Sequence, residues 1–218
     1  MNIAPYIDHT LLKPTTSVDE VAQLCKEAIE SEFAAVCIPP YYVKKASDLV
    51  EGTAVKVATV IGFPFGYSTT KSKLEEIIRA IEDGVDEMDI VHNIAALKAG
   101  DWEYLEFEIK AAIELAHSKG KIIKLIVESG VLTEEELIKC CEVYPKYHID
   151  FMKTSTGYAE TGATVKAVKI MRKHLPASIS IKASGGIRNF AFARELIDAG
   201  ASRLGCSASI KILEESLK

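Results

Sequence analysis

Two kinds of hydrophobic pattern alternate along the chain. Short apolar, β-branched runs are followed by a turn carrying Gly, Pro, Ser or Thr, and then by roughly ten to fifteen residues with apolar positions at helical spacing. The runs predict strands over 6–10, 34–38, 56–61, 87–92, 122–128, 151–154, 178–183 and 202–206. The segments between them carry their own start and stop signals. Ser17-Val18-Asp19-Glu20 and Thr133-Glu134-Glu135-Glu136 are capping boxes, in which the hydroxyl accepts from the third helical N–H and the glutamate reaches back to the cap N–H. Asp101 caps a helix whose buried stripe is Leu105, Ile109, Ala112 and Ala116 and which ends at Gly120. Asn189 opens a helix that Gly200 closes, and 41–50 reads as a short helix.

Eight βα units within 218 residues predict a closed (β/α)8 TIM barrel, compact against a typical ~250, as a single domain over 1–218. The competing architecture is an open doubly wound sheet. Against it, no GxGxxG follows the first strand, and glycine-rich turns sit late, after the seventh and eighth runs.

Composition narrows the functional classes. Hydrophobic residues make up 48% and charged residues 26%, far from a disordered composition, and no apolar run is long enough to cross a bilayer. A net charge of −5 leaves no basic field for a polyanion, so nucleic acid is not an expected partner, and any phosphate must be held by local amides or a few cations. The first residues have no basic region followed by an apolar core, so a cytoplasmic location is expected. Five cysteines, Cys25, Cys37, Cys140, Cys141 and Cys206, without a CxxC pair, read as reduced packing thiols. The histidines show no HxH or HExxH spacing, so no metal and no metal-dependent chemistry are expected. Parity along 87–92 turns His92 away from the barrel interior and makes it a structural residue.

In a barrel of this kind catalytic groups project from strand C-terminal ends, and four polar side chains stand in otherwise apolar runs: Asp89, Lys124, Lys153 and Lys182. A lone strand lysine is more often an edge residue reaching solvent or a structural ion pair. Three in successive core strands of a barrel, which has no edge, need another reason. Lys153 and Lys182 are 29 positions apart, one βα unit, which places them on neighbouring strands. Phe151, Lys153 and Ser155 share one face, as do Ser180, Lys182 and Ser184. Two amines in one pocket, partly desolvated, favour a neutral amine on one of them, the requirement for Schiff-base attack on a carbonyl. Either lysine qualifies as the nucleophile on these grounds. Asp89 would balance the charge and relay protons with Lys182; its plainer reading is a salt-bridge partner. The turns with Thr156 and Gly157, with Gly185 and Gly186, and with Gly205 and Ser207 form a candidate phosphate cradle, since glycine lets backbone N–H groups approach an anion.

At these residues the chain resembles the deoxyribose-phosphate aldolase family, class I aldolases of the barrel type. The resemblance is carried by Tyr6-Ile7-Asp8-His9-Thr10-Leu11-Leu12-Lys13-Pro14, Val36-Cys37-Ile38-Pro39-Pro40, Thr59-Val60-Ile61-Gly62-Phe63-Pro64-Phe65-Gly66, Asp86-Glu87-Met88-Asp89, Lys153-Thr154-Ser155-Thr156-Gly157 and Lys182-Ala183-Ser184-Gly185-Gly186-Ile187-Arg188. It implies reversible cleavage of 2-deoxy-D-ribose 5-phosphate to acetaldehyde and D-glyceraldehyde 3-phosphate without a cofactor, and a homodimer. It assigns the Schiff base to Lys153, the proton relay to Lys182 with Asp89, a supporting role among the substrate-side groups to Lys124, and the phosphate to Gly157, Gly185, Gly186, Gly205 and Ser207. Ala208 stands where relatives carry a second serine, and the chain ends without the terminal tyrosine some of them have. The rival readings are a Schiff-base aldolase or transaldolase for another sugar phosphate, and a sugar-phosphate binder without chemistry.

Overall fold

The computed structural model describes residues 1–218. Its eight strands are β1 (Ile7–Thr10), β2 (Ala35–Ile38), β3 (Lys56–Ile61), β4 (Glu87–Val91), β5 (Ile122–Ile126), β6 (Phe151–Lys153), β7 (Ser180–Ser184) and β8 (Arg203–Cys206). Each pairs in parallel with its neighbour, and β8 pairs with β1, closing a (β/α)8 barrel. Two predicted ends move by two residues, for local reasons. β5 stops at Ile126 because the chain turns at Glu128, whose φ of 50° is left-handed. β7 begins at Ser180 because Ile179 N–H donates to the Pro176 carbonyl in a turn, 3.1 Å.

The helices start where side chains satisfy their free N–H groups. Ser17 and Thr133 form both capping boxes with Glu20 and Glu136. Asp101 accepts from Tyr104 N–H at 3.1 Å and Asn189 from Phe192 N–H at 2.9 Å. Residues 41–50 divide into a 3-10 turn, Pro40–Tyr42, and the helix Val43–Val50.

Ladder partners lie on the same side of a parallel sheet, so the inward set can be followed round the wall. Lys153 pairs with Lys182, Lys182 with Arg203, Asp8 with Gly205 and Ala35, Val60 with Asp89, and Asp89 with Lys124. One half of the interior is therefore ionic. The other is a small apolar cluster of Ala35, Cys37, Ala58 and Val60. The outward set packs against the helices in one continuous core that includes Val36, Ile61, Met88, Ile90, Leu125 and Met152.

A second buried ion pair braces the outside of β4. Lys73 reaches from the helix Thr70–Glu82 to Glu108 at 2.7 Å and to the Val91 carbonyl at 2.8 Å. Beside it His92, just past β4, is fully buried outside the wall with Nδ1 2.9 Å from the Tyr144 hydroxyl. Its Nε2 has no partner. Burial, with Lys73 adding to it, pushes the imidazole down from 6.5 to about 3, so the folded protein keeps it neutral where the unfolded chain takes up a proton. The stability this confers is full above pH 6.5 and is lost as pH falls toward 3. One proton bound more tightly by the unfolded chain costs about 1.4 kcal/mol per pH unit. Urea unfolding of His92→Gln between pH 7 and 4 is expected to fall less steeply with acid than that of the parent; parallel curves would contradict this.

Candidate active site

Seven ionisable side chains meet inside the barrel. Lys153 Nζ is 2.7 Å and Lys182 Nζ 2.6 Å from the same Asp89 oxygen, Oδ2, while Lys124 Nζ is 2.9 Å from Oδ1. Lys182 also reaches Asp8 at 2.5 Å, Lys124 reaches Glu87 at 2.6 Å, and Arg203 bridges Asp8 and Glu87 at 2.6 and 3.2 Å. Asp8, Asp89, Lys124 and Lys182 are fully buried, and Lys153 is 2% exposed. With every group ionised, four cations face three carboxylates. Loss of one proton balances the set.

The electrostatics select which lysine loses it. Burial pushes Lys153 down; Asp89 opposes and Lys182 adds to the depression, and the balance is downward. Burial acts the same way on Lys182, but Asp8 and Asp89 outweigh it and raise its pKa. Lys124 and Arg203 are likewise held above their ordinary values, each by its carboxylate partners against burial. Burial pushes the two aspartates up, yet the cations prevail. Asp8 lies at about 2 under Lys182, Lys124 and Arg203, and Asp89 falls well below the usual carboxylate range under Lys124, Lys153 and Lys182. Lys153 is thus the one lysine of the network driven toward the neutral amine. Desolvation is the larger cause and the neighbouring ammonium a lesser one.

Above Lys153 a cleft of about 340 Å³ opens at the C-terminal mouth. It is lined by Lys153 with Thr156, Gly157, Gly185, Gly186, Gly205 and Ser207, so all the candidate cradle residues share one space with the candidate nucleophile. Gly157, Gly185 and Gly186 have φ of 88°, 89° and 78°, the left-handed conformation glycine adopts without cost. A side chain on Gly185 would press within 3.0 Å of Gly162 Cα and 3.3 Å of Gly157 Cα. Lys13 and Arg188 line the cleft too and supply cations to the cradle.

Lys124 does not belong with the cleft residues. It is fully buried, is absent from the cleft's lining, and has its ammonium engaged by Glu87 and Asp89. That corrects its placement among substrate-side groups: its reach is to the carboxylates behind Lys153. Ala208 precedes the helix Ser209–Ser216 without a side-chain cap, and the Ser209 hydroxyl beyond it is buried and turned away from the cleft.

Asp8, Glu87 and Arg203 were not singled out as chemical groups by sequence reasoning. Glu87 stands two residues before Asp89 and so shares its face, a signal the strand parity carried. Arg203 likewise stands two before Gly205. Asp8 joins the set only through the closing β8–β1 pairing. Glu128 is a fourth: nearly fully buried, it accepts from the Thr156 N–H at 3.2 Å and from the Thr156 hydroxyl, tying the end of β5 to the loop after β6. Tyr158 crosses the mouth, donating to the Leu12 carbonyl at 2.8 Å and standing edge-on to Phe63 at 5.3 Å.

Comparison with known proteins places the chain among aldolases. The profile of the DeoC/LacD family of aldolases matches residues 3–212. A relative from Thermococcus gammatolerans, named deoxyribose-phosphate aldolase, is 49% identical over 216 residues, covering 98% of this chain and 96% of its own. One of the same name from Caldanaerobacter subterraneus subsp. tengcongensis is 46% identical over 216 residues, with coverage of 99% and 94%. Among solved structures, the tetrameric deoxyribose phosphate aldolase of Aeropyrum pernix superposes with a TM-score of 0.92 at 32% identity, covering 99% of this chain and 91% of that one. An aldolase designated QR15 gives a TM-score of 0.93 at 40% identity, with coverage of 99% and 96%.

Proposed function

The chain belongs to the DeoC/LacD family of aldolases, and on that premise we propose that it reversibly cleaves 2-deoxy-D-ribose 5-phosphate to acetaldehyde and D-glyceraldehyde 3-phosphate through a Schiff base on Lys153. The observation that carries the reading is the sharing of one Asp89 oxygen by Lys153 and Lys182, with only Lys153 depressed toward its neutral form.

In cleavage, the Lys153 amine adds to the aldehyde carbon of the ring-opened sugar, and loss of water gives a protonated imine. Removal of the 3-hydroxyl proton breaks the bond between C2 and C3, releasing the phosphotriose and leaving an enamine. Protonation at C2 and addition of water return acetaldehyde and free Lys153. The charge count gives Lys182 its part. With Lys153 neutral the network is balanced; once the imine carries a positive charge, four cations again face three carboxylates, and the excess favours release of a proton from Lys182 toward Asp89 or the reacting carbon. The proton leaving the 3-hydroxyl returns Lys182 to its ammonium form, which Asp8 stabilises. The phosphate is held by the amides of Gly157, Gly185, Gly186 and Gly205, by Ser207, and by the cations of Arg188 and Lys13. The unit that acts is the one barrel over 1–218. An oligomer is expected on the precedent of the A. pernix relative, and no helix is long and apolar enough to cross a membrane.

Release of D-glyceraldehyde 3-phosphate, followed with a coupled dehydrogenase, tests the reading. Turnover of deoxyribose 5-phosphate but not of fructose phosphates is the expected result. Turnover of the fructose phosphates instead would support the rival aldolase, and no turnover of either would support a binder without chemistry. Arg188→Leu is expected to lower kcat/KM for deoxyribose 5-phosphate by about 10- to 100-fold, the worth of a charge-assisted phosphate contact, and to leave that for 2-deoxy-D-ribose within about two-fold. Equal losses on both sugars would remove Arg188 from the phosphate site.

A further inference from the structure

His9 lies on the outward face of β1, one residue from Asp8 and outside the cleft, and is 4% exposed. Its Nδ1 is 3.0 Å from the Ser209 hydroxyl and its Nε2 is 2.8 Å from Glu27 Oε2, on the helix Val18–Glu30. Ser209 is fully buried, opens the helix Ser209–Ser216, and donates to the Cys206 carbonyl at the end of β8, 2.9 Å. Between Cys206 and Ser209 runs the turn that carries Ser207, and Ser207 lines the cleft together with Gly205 at the end of β8. We propose that His9 is a positioning residue for this anion-holding turn, acting through the Ser209 hydroxyl and never touching substrate. The inference rests on the phosphate site of the proposed function.

The proton inventory gives the coupling its direction. Ser209 has one hydroxyl proton. If that proton goes to the Cys206 carbonyl, Nδ1 must be the donor toward Ser209. Nε2 faces a carboxylate, an acceptor only, and must donate as well. All three contacts therefore coexist only when the imidazole is charged. In the neutral ring protonated at Nε2, Nδ1 takes the Ser209 proton and the Cys206 carbonyl is released. The protonation of His9 thus decides whether the turn is tied to the helix that follows it. The groups facing the ring are Glu27 from the first long helix, Ser209 from the last, the Cys206 carbonyl from β8, and the edge of Phe33 at 5.3 Å. Burial lowers the imidazole's proton affinity and the hydrogen bond to Glu27 partly restores it, so the tie strengthens as pH falls below the ordinary histidine range.

Ser209→Ala deletes the link with one atom, and His9→Gln removes the titration. Each is expected to raise KM for deoxyribose 5-phosphate at pH 5 by up to about five-fold, the usual net worth of one hydrogen bond, with a smaller rise at pH 8. kcat, and kcat/KM for 2-deoxy-D-ribose, should stay within about two-fold, as expected of a contact confined to the phosphate end. The variant-to-parent ratio at each pH cancels the ionisation of the substrate's own phosphate. The double variant should be no worse than either single one. A ratio that does not change with pH, or equal losses on both sugars, would overturn the proposal. Binding of inorganic phosphate, followed by titration calorimetry at pH 5, keeps it separate from the assigned reaction. About five-fold weaker binding to Ser209→Ala supports the positioning role even if no sugar is cleaved, and unchanged binding refutes it even if one is.

Discussion

Incubation with acetaldehyde and borohydride is expected to leave one ethyl group on Lys153 and on no other lysine. Borohydride marks the protein only where an imine has already formed, and imine formation needs an unprotonated amine with access to the cleft. Lys153 satisfies both conditions: it lines the cleft and is the one lysine of the network whose pKa is depressed. Lys182 and Lys124 are fully buried, held charged, and absent from the cleft's lining. Lys153→Met should abolish the label and lower kcat by roughly 10⁴-fold or more, as for loss of a covalent nucleophile. The same substitution leaves three cations facing three carboxylates, the balanced state, so thermal unfolding should occur no lower than in the parent. Tryptic peptides analysed by mass spectrometry locate the label. Its appearance on any other residue, or its survival in Lys153→Met, would refute the assignment.

Lys182→Met carries the second largest effect and reaches Lys153 indirectly. Removing Lys182 leaves Asp8, Glu87 and Asp89 with Lys124, Arg203 and Lys153, so balance now requires Lys153 to stay protonated. Its pKa rises, and the acid limb of the pH–rate profile for imine formation moves to higher pH. At pH 7 the labelling rate should fall by about 100-fold, corresponding to a shift of roughly two pH units. Asp8 keeps Arg203, and Asp89 keeps Lys124 and Lys153, so no carboxylate is left without a cation and the effect on the fold should be small beside that on the rate. A slower rate with an unmoved acid limb would mean that Lys182 contributes packing and proton transfer but does not set the charge of Lys153.

The eight strands were legible because each apolar run is bounded by turn residues and followed by a capped, amphipathic helix. Strand parity then placed Lys153 and Lys182 on the inner face, and their pairing in the ladder agrees with it. What parity could not reveal was the partners. A strand of a parallel barrel is buried on both faces, so its run of apolar residues does not distinguish wall from interior, and a charged residue within it marks the interior only after the barrel closes. Asp8 and Arg203 are 195 positions apart and meet across the β8–β1 seam. Without Asp8, Glu87 and Arg203, the sequence offers a second amine and partial desolvation as joint grounds for a neutral amine, whereas the finished network shows burial as the larger cause and a surplus of one cation as the arrangement that resolves it. Glu128 escaped notice for a local reason: its left-handed φ belongs to a conformation that glycine, asparagine and aspartate adopt far more often.

The central claim is that Lys153 alone, among the buried lysines of this network, gives up its proton below the ordinary lysine range. NMR titration of protein labelled with ¹³C at lysine Cε measures this directly. The account predicts a lowered resonance that is absent from Lys153→Met and moves to higher pH in Lys182→Met, distinct from that of Lys73, which burial also lowers and which persists in both variants, while the resonances of Lys124 and Lys182 do not titrate below 10.5. A Lys153 resonance that titrates at or above 10.5 in the parent protein would contradict it.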